Sequence, residues 1–204
     1  MDPVLFWAFL VTTSIFVLVP GPSVALASAQ AVRFGRRAAL VTVAGDALGT
    51  IVHIIVATAG LRALIGLSEI VLPWLQIAGG LYIIWLAWQN WQHRNNSTVS
   101  PAADATFWTG FFACVSNPKA IAFFVALFPG FISLEHSVAF QALVYGGVFL
   151  VLDAASILIY AFLAEATFRR TISRWLRIEL ANSLGLFGVG IAMIVKGYRE
   201  LPGR

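Results

Sequence analysis

Three ionisable side chains stand alone in long apolar runs of this sequence: Asp46, Lys119 and Asp153. An Asp or Lys at the centre of a membrane-spanning helix costs about 2.5 to 3.5 kcal/mol, so each needs a partner or a task. One reading is mutual neutralisation, in which Lys119 pairs with an aspartate and ties two helices together. The other is that the carboxylates take up and release protons, or hold an ammonium group, as a cavity changes access. Two carboxylates and one lysine leave one aspartate unpaired, and the sequence does not say which. Seven residues beyond Asp46 stands His53, and seven beyond Asp153 stands Tyr160. Seven residues make about two helical turns, so each lies on the face of its aspartate as a secondary polar member of the same site.

Two proline-bearing interruptions accompany these charges. Pro20-Gly21-Pro22 divides a stretch without charge from Pro3 to Val32, and Asn117-Pro118-Lys119 divides a second apolar stretch. Each proline lacks an N–H and clashes with the carbonyl four residues earlier, which frees the carbonyls of Phe16, Leu18 and Cys114. In hydrocarbon such backbone survives only where it is buried in protein or lines a wet cavity. A helix restarting after Gly21 aims free N–H groups and its positive end at an anion, and Ser23 adds a hydroxyl. Asn117, held out of helical geometry by Pro118, offers an amide. Donors and acceptors on two sides suit a zwitterion. The predicted substrate-binding set is Pro20, Gly21, Pro22, Ser23, Asn117, Pro118 and Lys119, with Asp46 and Asp153 for proton coupling or ammonium binding. The plainer alternative is that each proline only kinks its helix.

The elements that must position these groups follow from composition. The 204 residues are 60% apolar and 11% charged, with mean hydropathy +0.88; soluble chains carry about 25% charged residues. This predicts an all-α membrane protein forming a single domain over residues 1–204. The net charge of +4 does not point to nucleic acid, because the basic residues cluster at the ends of apolar segments, where they set membrane orientation. A lone cysteine, Cys114, excludes an internal disulfide and reads as a packing residue. His53 has no His or Cys at ligand spacing in its helix, so no metal site is predicted. Neither a paired His-Glu motif, a Ser-Lys dyad nor a catalytic cysteine context is present, so no catalytic residue and no cofactor are expected. A cleavable leader is set aside, since Asp2 is the one early charge and the apolar run outlasts a usual leader core.

Six spans are predicted: 4–31, 38–61, the segment between Glu69 and Arg94, 107–132, 138–163 and 181–195. A polar loop over 93–106 separates a first repeat, about 1–92, from a second, about 107–204. Arg169, Arg170, Arg174 and Arg177 mark a basic connection, read as a short interfacial helix. Eight Lys and Arg fall on one side of this arrangement and four on the other, which predicts both termini outside. Each half has three spans, the first broken by proline and the second carrying an aspartate. An odd number of spans gives the halves opposite topology, the plan of two inverted three-helix repeats with broken helices 1 and 4. Gly45 and Gly49 form a small-xxx-small face that lets another helix approach Asp46. Glycines in spans 3 and 6 suit a homodimer contact or internal packing equally.

Taken together, Leu18-Val19-Pro20-Gly21-Pro22, Phe34-Gly35-Arg36-Arg37, Gly45-Asp46, Gly79-Gly80-Leu81-Tyr82 with Trp85 and Ala87, and Ser116-Asn117-Pro118-Lys119 carry a resemblance. In order and spacing the chain resembles the LysE/RhtB family of amino-acid exporters over nearly its whole length. The resemblance implies a multi-pass protein of the bacterial inner membrane that exports amino acids or close derivatives by exchange for protons. It does not choose the amino acid. Export of a metal cation is the alternative, against which two aspartates, one histidine and a nearby lysine are a poor ligand set. A non-transporting assembly protein would leave the two breaks and three buried charges unexplained.

Overall fold

A computed structural model describes residues 1–63 and 107–168, together with short helical pieces within 73–88 and 187–201. The predicted polar loop 93–106, the basic connection 169–177 and most of the third and sixth spans lie outside the described residues. Among the described residues the regular structure is helical throughout, with no strand.

The chain opens with α1 (Pro3–Leu18), whose first turn is set by Asp2. Its Oδ1 accepts the N–H groups of Val4 at 2.7 Å and Leu5 at 3.3 Å, and Pro3 occupies the position where a missing N–H costs nothing. The helix stops before Pro20, because a residue preceding proline is pushed to extended backbone, and Val19 has φ −79° and ψ 112°. Gly21 then caps α2 (Pro22–Phe34), and the pair is bent by 49°. Gly35, at φ 84°, turns the chain into α3 (Arg36–Ala63); the side chain that alanine would add there is strained by that backbone.

The second half repeats the interruption with a longer irregular stretch. It comprises α4 (Phe107–Val115), α5 (Pro118–Ala122), a π turn (Phe123–Leu127) and a 3-10 turn (Phe128–Phe131), bent by 47° at the break. The predicted fourth span is therefore broken and also rewound. Pro129 withholds the N–H that Val125 needs, and the chain answers by widening, with the Phe128 N–H bonding the Phe123 carbonyl. α6 (Val138–Phe168) completes the described bundle. Helices α3, over Arg36–Leu61, and α6, over Val138–Thr167, are each long and apolar enough to cross a membrane; counting the two bent pairs gives up to four such spans.

Two contacts lock this frame. Aromatic rings of α1, the irregular stretch and α6 form one cluster, with Phe9 on Tyr145 at 4.7 Å and Phe123 on Phe149 at 4.7 Å. Each such pair adds about 0.5–1.5 kcal/mol beyond its burial. Against the other side, α3 and α4 meet backbone to backbone. A Cβ on Gly45 would stand 1.8 Å from the Phe107 carbonyl oxygen, and one on Gly110 would stand 1.9 Å from that of Thr42. Large apolar side chains such as Val4, Trp7, Ile55, Leu143 and Val151 point outward, as a lipid-facing surface requires.

The glycine contact is directly testable. Gly45→Ala should destabilise the purified protein by about 3 kcal/mol or more, since backbone cannot yield to the new methyl group. Gly147→Ala, where nothing lies within 4 Å, should stay within about 1 kcal/mol of the parent. Thermal unfolding in detergent reads both, and equal stability of the two variants would contradict the packing.

Candidate functional site

The end of α1 leaves a set of carbonyls without helical donors, and each has a substitute. Phe16 receives the Val19 N–H at 3.3 Å, Val17 the Ser156 hydroxyl at 2.7 Å, and Leu18 the Tyr160 hydroxyl at 2.7 Å. Val19 receives the ammonium group of Lys119. Three of these four donors come from the second half of the chain.

The second break is closed in the opposite sense. Cys114, whose helical donor Pro118 deletes, receives the Asn117 N–H at 2.9 Å and Nε2–H of His53 at 3.1 Å. The His53 ring lies flat on Phe124, centroids 5.6 Å apart. Asn117 accepts the Lys119 N–H at 3.0 Å and so caps α5, while its amide donates to the Ser23 hydroxyl at 3.2 Å. That bond joins the two breaks directly. Leu18 stands four residues before Pro22 and Cys114 four before Pro118; Tyr160 serves the first carbonyl and His53 the second, each from the opposite half.

The charges lie beside this junction. Asp46 is 4% exposed, and its carboxyl interacts with Asp153 and with the side chains of Ser23 and Cys114. One of its oxygens, Oδ1, has no hydrogen-bond partner. The simple pairing of Lys119 with an aspartate is not made. An ion pair is made instead by Arg36 with Glu165, at 2.8 Å on the surface. Lys119 instead bonds the Val19 carbonyl and faces the Phe16 ring at 4.5 Å, with Asp153 close enough to act on it through its charge.

A cavity of about 20 Å³ opens among Gly21, Ser23, Asn117, Lys119, Asp153 and Phe149. One water needs about 10–15 Å³ on this measure, so the space holds a water and is too small for an amino acid. Of the predicted residues, Gly21, Ser23, Asn117, Lys119 and Asp153 line the cavity, and Asp46 lies against it. Pro20, Pro22 and Pro118 shape the backbone around it, while His53 and Tyr160 brace the breaks. Sequence reasoning missed Ser156, Thr50 and Phe16. Ser156 follows Asp153 by three residues and Thr50 follows Asp46 by four, so helical spacing from the aspartates would have found both.

Two interrupted helices that meet over a buried polar cavity, within a bundle covered by apolar side chains, are an arrangement suited to a membrane-embedded transport protein. The profile of the LysE type translocator family matches residues 14–197. The chain is 30% identical over 176 residues to a homoserine/homoserine lactone efflux protein of Salmonella typhimurium, covering 84% of this chain and 83% of that relative. It is 28% identical over 200 residues to an uncharacterized membrane protein of Vibrio cholerae, covering 96% and 98% respectively. No solved structure matches it at a significant level. The chain belongs to the LysE type translocator family, a family of transporters and not of enzymes.

If the junction holds the breaks together, Ser23 and Asn117 must be energetically linked. A double-mutant cycle with Ser23→Ala and Asn117→Ala should return a coupling of about 0.5–3 kcal/mol in unfolding free energy. Strictly additive effects would show that each break stands alone.

Proposed function

We propose that this protein exports amino acids or close derivatives from the cytoplasm across the bacterial inner membrane, in exchange for protons. The observation that carries the reading is a polar cavity at the meeting point of two broken helices, lined by Asp153 and with the buried carboxyl of Asp46 beside it. Two carboxylates near one another and away from bulk water repel when both are ionised, and a shared proton relieves that. The pair is thus a proton carrier placed where the solute binds.

The solute's charged groups have complementary partners. Helix α2 starts without a side-chain cap, and Pro22 has no N–H, so the N–H groups of Ser23 and Val24 at the cavity wall are placed for a carboxylate. Asp153 serves an ammonium group, and Asn117 adds a polar wall. Homoserine and its lactone, named for the Salmonella relative, share an α-ammonium group, while homoserine alone has a free carboxylate. An α-ammonium group is therefore the feature assigned to this protein's substrates as well.

The reciprocal bracing of the breaks supports the plan of two inverted three-helix repeats within six spans. His53 and Tyr160, each seven residues past an aspartate, serve equivalent carbonyls in opposite halves. In this plan both termini lie outside, and the Arg36–Glu165 pair lies on the cytoplasmic side. The single chain contains every residue assigned to the site, so the proposed transport unit needs no second copy.

Proteoliposomes loaded with a panel of labelled amino acids should release one or more of them, faster when the outside is more acidic. Asp46→Asn should insert normally and reduce gradient-driven release to the rate of protein-free vesicles. Undiminished release by that variant removes Asp46 from the mechanism, and release of no amino acid by the parent removes the reading itself.

A further inference from the structure

The lysine at the second break is bound as a ligand would be. An ammonium group has three N–H donors, and that of Lys119 donates to one acceptor, the Val19 carbonyl. It also faces the Phe16 ring at 4.5 Å and feels the charge of Asp153. A carbonyl at the negative end of a helix, an aromatic face and a nearby carboxylate together form a recognition set for a cation. Closing this helix end does not itself demand a charge, because the Val17 and Leu18 carbonyls are served by the neutral hydroxyls of Ser156 and Tyr160. The lysine reaches the set over the bare backbone of Gly21, where a Cβ would stand 3.3 Å from its Cδ. That stem fills space between the breaks beside a cavity fit for one water.

We propose that Lys119 is a tethered placeholder in the subsite that receives the substrate's primary ammonium group. The arriving ammonium displaces it from the Val19 carbonyl and the Phe16 face, and Lys119 turns to the substrate's carboxylate at the start of α2. Departure of the lysine vacates the volume of its own side chain, which makes room that the closed cavity lacks. The inference rests on the amino-acid reading of the site.

Its consequence is a contrast between ligands. A zwitterion recruits the displaced lysine and recovers an interaction with it, whereas an amine without a carboxylate only competes with it. Lys119→Met and Lys119→Gln should therefore bind n-propylammonium more tightly than the parent, by about tenfold if the lysine leaves the subsite free a tenth of the time. The same variants should bind alanine less tightly. Ligand-dependent thermal shifts of the full chain in detergent give these affinities, with n-propanol as the uncharged control. A merely structural lysine predicts weaker or unchanged binding of both ligands in both variants, and that result overturns the proposal.

Should both variants fail to fold, the parent protein keeps the proposal testable: n-propylammonium should speed the modification of Lys119 by an amine-directed reagent, read by mass spectrometry, because it drives the lysine out of its subsite. An unchanged or slower rate overturns the proposal equally. The two readings separate cleanly. Vesicles that export amino acids while Lys119→Met weakens both ligands alike retain export and reject the placeholder. Vesicles that export none while the variant gains affinity for n-propylammonium retain the ammonium subsite and reject the amino-acid reading.

Discussion

Hydrocarbon offers nothing to a backbone carbonyl, and the rest of this structure follows from where the freed carbonyls find donors. The prolines at 20, 22 and 118 withhold N–H groups in the middle of apolar segments. The Val19 and Asn117 N–H groups replace part of these locally. The other donors come from Ser156, Tyr160 and Lys119 on one side and from His53 on the other, each from the opposite half. The first half alone would leave the Val17, Leu18 and Val19 carbonyls without these donors, so the two halves stabilise one another through polar contacts and not only through the aromatic cluster. The glycine contact between α3 and α4 belongs to the same constraint, because it brings Asp46 and His53 within reach of the second break.

Charge balance at the junction gives the proposed exchange a physical basis. Two carboxylates and one ammonium leave one excess negative charge when all are ionised, and a zwitterion adds none. A proton supplies the missing charge. In the proposed exchange, proton and substrate ammonium both act on the Asp153 side of the pair, so occupancy by one would weaken attraction for the other, which is the competition that exchange requires. Lys119 is better placed on a carbonyl than on a carboxylate for this purpose. A tight ion pair would neutralise one aspartate permanently and break only at a cost of about 3–5 kcal/mol.

Much of this was legible because a membrane segment tolerates so few exceptions. Prolines, aspartates and a lysine stand out from apolar surroundings, and the breaks at Gly21 and Asn117 fall where proline chemistry puts them. Seven-residue spacing singled out His53 and Tyr160, two turns beyond their aspartates on the same helices. It could not show that each reaches across to the opposite half, since that depends on how helices cross. The partner of Lys119 was illegible for the same reason: Val19 lies 100 residues away, and a backbone carbonyl leaves no mark in the sequence. The rewinding after α5 was also missed. Pro129 was visible near the end of the span, but a proline by itself does not say whether the helix kinks or widens into a π turn.

The cross-bracing also bears on how such a site opens. Admitting a solute means separating Ser23 from Asn117, and Lys119 from Val19, since these pairs border the cavity. Both pairs leave their partners satisfiable by a polar solute: a carboxylate accepts what the Asn117 amide and Lys119 donate, and an ammonium donates to the Val19 carbonyl. The bonds of Tyr160 and His53 have no such replacement in a small solute. On the proposed reading those bonds stay made, so that the solute would open the junction by substituting for the contacts it breaks while the backbone on either side stays paired.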